Sequence, residues 1–411
     1  MPRFAHPAVP IVLAAVLIDT IGFSIVMPVL PNLITTLGHI DLEQATRVGG
    51  YMLVVFSIGQ FFAGPILGNL SDRFGRRPVL LLSMLAFGLD YALMALAPTL
   101  AWLFLGRTIA GISGAVYGPA SSVIADVTPP DKRSAAFGYI GAAFGIGFVI
   151  GPAIASQVVH LGDRAPFVAA ALLALANAAV MAIAMPETLA RENRRPFHLR
   201  DAHFIGAFRP LFKAGNAAPL LVAWFVWQLA HMVYPATWSF WGAIRFHWDP
   251  AAISRSLAFV GLVMAAVQGG LTGRIIARIG ERRALVLGLG AACVSFLAFA
   301  FITHSWQAYA LFLVSAISGA IFPAMQGLMS RMVDATRQGA LQGGIGSMNS
   351  VAAIIGPLML TQTLATGVDH GFPGAAFLLA SILAAIALLI VVTRVLGRVT
   401  MEAGAPAPAE S

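Results

Sequence analysis

Three charged residues interrupt long apolar segments of this 411-residue sequence and could carry out proton chemistry. Asp19 and Asp90, in the first and third apolar runs, are the deepest carboxylic acids in the first half of the chain. Arg107 lies within the fourth apolar run. An isolated charge in such a segment costs about 2.5–3.5 kcal/mol by insertion scales, so these residues usually mark substrate or proton sites. We therefore predict that Asp19 and Asp90 bind substrate or exchange protons. A hydrogen bond from Asp19 to a neighbouring helix is the structural alternative.

Arg107 has to find a partner, because arginine stays charged wherever it is placed in a protein. Asp19 and Asp90 are both candidates. One hypothesis is a charge relay, in which Arg107 holds a carboxylate until a proton or a substrate releases it. The alternative is a permanent ion pair that locks the first and fourth apolar segments together.

The second half of the sequence offers aromatic and amide side chains instead of deep acids. Seven of them lie within apolar segments and are predicted to contribute to a substrate site: Trp227, Gln228, His231, Tyr234, Gln268, Gln326 and Asn349. Aromatic rings with polar handles suit an amphipathic, aromatic substrate, because they both stack and form hydrogen bonds. A role at the membrane interface for the tryptophans, or simple packing for His231, is the alternative interpretation.

The composition requires a membrane protein. Apolar residues make up 59% of the chain and charged residues 10%, against roughly a quarter charged in ordinary globular domains. The apolar runs last about twenty residues, which suits helices crossing roughly 30 Å of hydrocarbon and not the alternating segments of a β-barrel. A single cysteine, Cys293, excludes a disulfide framework. The first apolar run is too long for a cleavable signal peptide.

Twelve spans are expected, forming an all-α membrane protein of two homologous six-helix bundles. The predicted spans are 8–30, 48–70, 77–97, 100–125, 135–159, 164–186, 217–243, 252–273, 283–303, 306–330, 339–363 and 372–396. The polar stretch 187–216 is predicted to be a cytoplasmic linker between an N-terminal bundle, 1–186, and a C-terminal bundle, 217–396. The tail 397–411 is rich in alanine and proline and is predicted to be a disordered cytoplasmic segment.

The basic residues predict the orientation. If both termini are cytoplasmic, four of the 25 Lys and Arg residues fall in outer segments, Arg107 lies in a span, and all the others are inside. This is a strong positive-inside bias, and it explains the net charge of +8 without nucleic-acid binding. With a bacterial origin, which the resemblance described below implies, we expect a multi-pass protein of the inner (cytoplasmic) membrane.

An internal repeat relates the two halves. Shifting the sequence by 205 residues places Gly68–Arg77 over Gly273–Arg282, Ile112–Ala115 over Ile317–Ala320, and Gly151-Pro152 over Gly356-Pro357. Several matches at one offset and in one order indicate a parallel duplication. One large class of secondary transporters has this arrangement, with the substrate site between the halves.

The repeated segments also carry a family resemblance. The loop Gly68-x-x-x-Asp72-Arg73-x-Gly75-Arg76-Arg77, together with Leu105-Gly-Arg107 and the run Gly141-x-x-x-Gly145-x-Gly147-x-x-x-Gly151-Pro152, resembles the signature motifs of the major facilitator superfamily and its drug/proton antiporters. The match is closer to the tetracycline efflux branch, through Asp19 with Met27-Pro-Val-Leu-Pro31, Asp90-Tyr91 and Ile124-Ala-Asp126.

This resemblance implies roles for the motifs. Asp72, with Arg73, Arg76 and Asp126, would form a conformational latch, in which Asp72 pairs across the two halves and stabilises the outward-facing state. Gly147, Gly151 and Pro152 would form the antiporter helix, where small residues allow helices to approach closely; packing alone explains this pattern equally well. Tetracycline exporters usually carry a histidine and an aspartate where this chain has Met264 and Ala292.

The expected function is proton-coupled export of a small amphipathic drug or antibiotic, with tetracycline as a candidate, by alternating access. Export of an endogenous metabolite or sugar is the alternative. No cofactor or resident metal is expected, although the substrate could arrive as a magnesium chelate. Substrate, protons and the lipid bilayer are the expected partners of a monomer. An intramembrane aspartyl enzyme, a channel and a receptor without transport are the rival classes, and none of them requires this duplication.

Overall fold

The computed structural model describes residues 6–114, 117–129, 133–194, 218–331 and 338–396, and these residues form helices without a strand. In the first half the α-helices are α1 (Ala8–Val26), α2 (Leu30–Gly38), α3 (Leu42–Phe74), α4 (Arg76–Leu96), α5 (Leu100–Ser113), α6 (Tyr117–Val127), α7 (Arg133–Val158) and α8 (Ala165–Ala184). In the second half they are α9 (Ala218–His231), α10 (Val233–Phe246), α11 (Pro250–Ala266), α12 (Gly273–Phe301), α13 (Ser305–Ser315), α14 (Ile321–Arg331), α15 (Gln338–Asp369) and α16 (Ala375–Ile390). The predicted tail, and the linker beyond residue 194, lie outside the described residues.

The helices make twelve membrane crossings in two sets of six. Eleven helical stretches are long and apolar enough to span a bilayer by length and composition. One of them, Pro250–Phe301, has 52 residues, about twice the length that a bilayer requires. It is divided at Gly280, whose φ of 78° and ψ of 161° are not helical, so it contributes two crossings. The all-helical fold with twelve spans is therefore confirmed.

The internal repeat appears in the backbone as well. Gly75 separates α3 from α4 with φ 107° and ψ 163°, and Gly280, 205 residues later, has nearly the same conformation. A positive φ is accessible to glycine without steric cost, so a glycine allows the chain to reverse sharply at both points. Pro152 and Pro357, also equivalent, lie inside the long helices α7 and α15.

Several predicted spans are interrupted, and this is a correction to the sequence-based picture of continuous helices. The seventh span breaks at Met232, between α9 and α10. The tenth contains a 3₁₀ segment, Ala316–Ala320, between α13 and α14. Pro235 and Pro323 follow these breaks, and a proline removes one backbone donor from the preceding turn. The eighth span contains a π-helical segment, Val267–Thr272, a feature that often occurs near functional sites.

The halves are in contact at one end of the bundle. Arg47 lies near the start of α3, and Asp72 lies near its end, so they mark opposite ends, here called the Arg47 end and the Asp72 end. Near the Arg47 end the halves touch closely: a Cβ at Gly50 would lie 2.0 Å from Thr361 Oγ1. Towards the Asp72 end, a Cβ at Gly68 or Gly346 would meet no atom of the described residues within 4 Å.

The glycines of α7 pack against α1, the helix that carries Asp19. A Cβ at Gly147 would lie 2.7 Å from Leu17 O, and one at Gly151 would lie 2.0 Å from Ser24 Oγ. Ser24 Oγ donates to Gly147 O at 3.1 Å. Close packing of this face therefore depends on two of the four glycines, because the equivalent positions at Gly141 and Gly145 face open space.

Replacing Gly151 with alanine is expected to destabilise the protein by about 1–3 kcal/mol, because the added methyl group would overpack the α1–α7 contact. The thermal unfolding midpoint of the detergent-solubilised protein measures this effect. Gly145→Ala, six residues earlier on the same helix, is the matched control, since nothing lies within 4 Å of its Cβ position. Equal midpoints for the two variants would contradict the packing role of Gly151.

Candidate substrate and proton site

Asp90 and Arg107 form an ion pair inside the first half. Asp90 lies on α4 and Arg107 on α5; Arg107 Nη2 donates to Asp90 Oδ2, and the Asp90 side chain is fully buried. Gly106 makes room for the carboxylate, because a Cβ at that position would lie 2.5 Å from Asp90 Oδ1. The partner of Arg107 is therefore Asp90 and not Asp19. The pair joins the third and fourth spans, which corrects the alternative of a lock between the first and fourth.

The surroundings of the pair leave part of its hydrogen-bonding capacity unused. Among the described residues, Asp90 Oδ1 and Arg107 Nε are buried without a hydrogen-bond partner. The guanidinium carbon of Arg107 lies 5.7 Å from the centre of the Phe56 ring and 6.0 Å from that of Tyr91. Ring faces attract a cation but fix its orientation less tightly than acceptors do. This arrangement can exchange partners more readily than a fully hydrogen-bonded network.

Asp19, the other deep acid of the first half, is not paired with any described residue. It lies on α1, is partly buried, and has no hydrogen-bond or ion-pair partner in the part of the chain that the structure describes. Tyr91 lies within electrostatic range of Asp19 and also of the Asp90–Arg107 pair. A Cβ at Gly22, one turn from Asp19, would lie 2.9 Å from the Tyr91 ring. Tyr91 thus lies near both the free acid and the buried pair, a position that the Asp90-Tyr91 motif did not reveal in the sequence.

A small cavity lies between the halves at the Arg47 end. Its volume is about 40 Å³, enough for a few water molecules but not for a drug-sized ligand. α1 contributes Phe23, Val26 and Met27, and Arg107 borders the same space. Asp19 precedes these residues by four, seven and eight positions, so it lies on the same face of α1, deeper towards the Asp72 end. This placement orients the free acid towards the space between the two halves that extends from the cavity to the Asp72 end, here called the cleft.

The aromatic residues predicted for the second half form a packed cluster. Trp227 is 4% exposed, and its ring centre lies 5.5 Å from that of His231 and 6.1 Å from that of Phe296. Tyr234 lies 5.4 Å from the same Phe296 ring. These contacts run towards α12, within the second half. The residues of α10 that line the small cavity are instead Pro235, Ala236, Ser239 and Phe240. Gln228, beside Trp227 on α9, is partly buried.

The remaining predicted polar residues are distributed over three elements. Asn349 of α15 accepts a hydrogen bond from Trp224 Nε1 at 2.9 Å, so it joins α9 to α15. Gln268 lies in the π-helical segment, where its Cγ would be 3.3 Å from a Cβ at Gly319. Gln326 is partly buried on α14. Asn349 and Gln268 therefore contact different elements, α9 and the 3₁₀ segment of the tenth span.

The motif at the Asp72 end forms an ion-pair cluster within the first half. Arg76 Nη1 lies 2.5 Å from Asp72 Oδ1, and Arg76 Nε donates to Asp126 Oδ2 at 3.0 Å. Arg76 Nη1 also donates to Ser71 Oγ at 2.9 Å. Arg73 does not join this cluster: it is exposed, 5.0 Å from the Phe74 ring centre. In this conformation Asp72 pairs within its own half, so the cross-half latch stays a prediction.

Glu187 is a further member of this cluster that sequence reasoning missed. Its carboxylate accepts hydrogen bonds from the backbone N–H groups of Arg76, at 2.8 Å, and Arg77, at 3.3 Å. It therefore caps the start of α4, where a negative charge is favoured. Gly75 leaves room for it, because a Cβ there would lie 2.2 Å from Glu187 Oε2. The separation of 111 residues in sequence gave no signal for this contact.

The second half contains a copy of this ion pair with the charges exchanged. Glu281 occupies the repeat position of Arg76, and Arg331 that of Asp126. Arg331 Nη2 donates to Glu281 Oε1 at 2.8 Å. Among the described residues no group of His, Cys, Asp and Glu side chains is arranged to hold a metal ion.

The architecture and the motifs agree with the comparisons to known proteins. Residues 12–357 match the model of the Major Facilitator Superfamily. The chain belongs to this superfamily. It is 38% identical to the tetracycline resistance protein, class C, of Escherichia coli over 361 residues, covering 88% of this chain and 90% of that protein. The class B protein of Escherichia coli is 36% identical, with 85% and 86% covered. Family membership places the chain among membrane transporters, not enzymes.

Solved structures share the fold at lower sequence identity. The human organic anion transporter MFSD10 superposes with a TM-score of 0.70 at 24% identity, covering 94% of this chain and 99% of that one. A D-xylose–proton symporter superposes with a TM-score of 0.76 at 16% identity, covering 94% and 96%. These likenesses support the fold alone.

Proposed function

We propose that this superfamily member is a proton-coupled exporter of a small amphipathic compound, with tetracycline as the leading candidate. The observation that carries this proposal is Asp19, an acid without a partner on the cleft-facing side of α1, next to the buried Asp90–Arg107 pair. The tetracycline resistance proteins that the chain resembles supply the substrate candidate.

The proposed cycle depends on competition for Asp19. Substrate enters the cleft from the Asp72 end and approaches the ionised carboxylate. A proton arriving later from the opposite side neutralises the same carboxylate and releases the substrate. Since one acid cannot hold both, the binding of each lowers the affinity for the other, and this is the coupling between their movements. The halves rock about the central site to expose it alternately to the two sides.

Arg107 acts as a relay in this proposal. Asp90 neutralises it in the resting protein, and Phe56 and Tyr91 hold its guanidinium by their ring faces. Tyr91 lies within electrostatic range of Asp19, Asp90 and Arg107, so an ionised Asp19 would attract the guanidinium as a second carboxylate. Protonation of Asp19 removes that attraction and returns Arg107 fully to Asp90.

The orientation in this proposal follows the basic residues. The Asp72 end carries Arg73, Arg76 and Arg77, and the second-half copy carries Arg282 and Arg283, so we place this end in the cytoplasm. The described conformation, in contact at the Arg47 end, is then inward-facing. We further propose a monomer in the bacterial inner membrane, with both termini cytoplasmic. Asp72 would leave Arg76 for a partner in the second half when the cytoplasmic end closes.

The substrate is the least constrained part of the proposal. Ala292 and Met264 stand where tetracycline exporters usually have an aspartate and a histidine, and Ala292 is buried. The second half therefore presents no deep carboxylate for a cationic chelate. This observation favours the second candidate, an exporter of an endogenous metabolite or sugar. A magnesium chelate of tetracycline, if transported, would be substrate and would have to rely on Asp19 and Asp90.

The proposal can be tested by proton movement in proteoliposomes with an acidic interior. Tetracycline with magnesium is added outside, followed in separate trials by other amphipathic antibiotics, and the internal pH is followed with a trapped dye. We expect tetracycline to trigger proton release from the vesicles. Liposomes without protein are the control for direct effects of the weakly acidic drug.

The outcomes separate the two candidate substrates. If tetracycline triggers no proton release but another antibiotic does, the protein is an antiporter with a different drug as its substrate. If no antibiotic triggers proton release by protein shown to be folded, the proposal of drug export is wrong. An endogenous metabolite or sugar is then the favoured substrate.

A further inference from the structure

A polar contact crosses between the halves at the Arg47 end. Arg47 Nη2 donates to Asp369 Oδ2 at 2.9 Å, and Arg47 Nη1 donates to Gln362 Oε1 at 3.0 Å. Arg47 lies on α3 of the first half, whereas Gln362 and Asp369 lie two turns apart on α15 of the second. Glu43 also accepts from Arg47, at 3.2 Å, but within the first half. We call Arg47, Gln362 and Asp369 the Arg47 clasp.

The clasp lies next to the point where the backbones of the two halves are closest, on its side towards the Arg47 end. Gly49 and Gly50 follow Arg47 on α3, and a Cβ at Gly49 would lie 2.4 Å from the Phe240 ring of α10. At Gly50 the corresponding contact is Thr361, next to Gln362 on α15. Any side chain at these two positions would push the halves apart. Met52 and Leu53, further along α3, line the small cavity together with Phe240 and Ser239.

The exposure of the clasp suits a contact that must break in every cycle. The side chains of Arg47 and Asp369 are 32% and 38% exposed. Ion pairs at this exposure are weak one by one, because water and salt screen them and both long side chains lose freedom. A buried pair would lock this end, whereas an exposed pair only shifts the balance between its closed and open forms.

We propose that the Arg47 clasp holds the Arg47 end closed and thereby sets the fraction of transporters that face the Asp72 side. This deepens the proposed function, on which its role in transport depends, by assigning a gate to residues outside the proton site. Arg47 is a positioning residue here, because it acts on the access of substrate and not on substrate itself. Opening the Arg47 end requires Arg47 to leave both α15 acceptors while it keeps Glu43.

The experiment measures access to the cavity with a membrane-impermeant maleimide. Cys293 is the only cysteine, so the parent carries Cys293→Ser with Ser239→Cys in the cavity wall. Labelling rates are compared in intact cells and in inverted membrane vesicles, so that the side bearing Arg47 is identified directly. Asp369→Asn removes the cross-half ion pair. Glu43→Gln is the comparison variant, since it removes an equal charge that contacts Arg47 from the first half. Glu43 also lies against Asp369, so this change removes a repulsion between the halves and keeps the Arg47–Asp369 ion pair.

Asp369→Asn is expected to raise the labelling rate from the Arg47 side about two- to fivefold, the range that an exposed ion pair can supply. Glu43→Gln is expected to leave that rate at or below the parent's value, because Arg47 is then free to favour Asp369. The exchange variant Arg47→Asp/Asp369→Arg should return to the slow rate, which a misfolded protein would not do.

Parent-like labelling of Asp369→Asn overturns the proposal, and so does an equal rise in Glu43→Gln. Labelling requires neither substrate nor a proton gradient. If Asp369→Asn is labelled faster and the unmodified protein transports no tested compound, the clasp is supported and the proposed function is rejected. If the unmodified protein transports normally and Asp369→Asn is labelled at the parent's rate, the proposed function is supported and the clasp is rejected.

Discussion

Asp19→Asn is expected to abolish proton-driven export and to leave the protein folded and inserted. The asparagine amide has nearly the same shape as the carboxyl group but does not exchange a proton, so the step that resets the carrier is lost. We expect proton-driven export to fall at least ~100-fold, as when a positioned acid–base group is removed. Folding should be little affected, because Asp19 has no partner in the described structure that would be left unpaired.

Substrate-triggered proton release in proteoliposomes measures this loss. Asp19→Glu should retain part of the activity, since it keeps a titratable carboxyl one methylene further out. Asp163→Asn, at an exposed position in the loop before α8, is the matched control for removal of one acid. Export by Asp19→Asn at the parent's rate would remove this residue from the mechanism and transfer the coupling to Asp90.

Arg107→Gln is expected to destabilise the protein by about 3–5 kcal/mol, because it leaves the Asp90 carboxylate buried without a counter-charge. The yield of folded protein in the membrane and its thermal unfolding midpoint measure this effect. The double variant Asp90→Asn/Arg107→Gln should recover most of the lost stability, since it removes both charges together. Asp90→Asn alone should behave like Arg107→Gln, with the arginine as the unpaired group.

The double variant also separates relay from structural lock. We expect it to be folded but inactive in proton-driven export, because Arg107 would no longer respond to the charge on Asp19. Export at the parent's rate would show that the pair only joins α4 to α5. Failure of the double variant to recover stability would contradict the account of the single variants.

Much of the fold could be predicted because membrane thickness limits it so strongly. The apolar runs, the duplication and Gly75 with Gly280 were visible in one sequence. Helix ends were less visible: α3 extends over 42–74, whereas hydropathy predicted 48–70, because helices continue beyond the hydrocarbon. The breaks at Met232 and at Ala316–Ala320 precede Pro235 and Pro323, but a proline in the sequence does not by itself specify at which residue a helix is interrupted.

The site was predictable in part. Asp72 and Arg76 are four residues apart and had to be close if their segment was helical, although Gly75 makes their link a turn. The choice between Asp19 and Asp90 as partner of Arg107 required coordinates. Hydrophobicity also could not show which face of the seventh span meets the cleft, because polar side chains such as Gln228, Tyr234 and Ser239 are spread around that span. Trp227 and Tyr234 pack against Phe296 in this conformation, and their role in substrate binding stays a prediction.

The distribution of acids has an electrical consequence. Asp90 and Arg107 cancel, so with one free acid the empty cleft carries a single negative charge when Asp19 is ionised and none when it is protonated. The second half adds no deep acid to this count. Exchange of one proton for a singly cationic substrate then moves no net charge, whereas a neutral substrate moves one. Moving one elementary charge across a membrane potential of 100 mV changes its free energy by about 2.3 kcal/mol. Membrane voltage would therefore help to drive the export of a neutral substrate, whereas the export of a monocation would depend on the pH gradient alone.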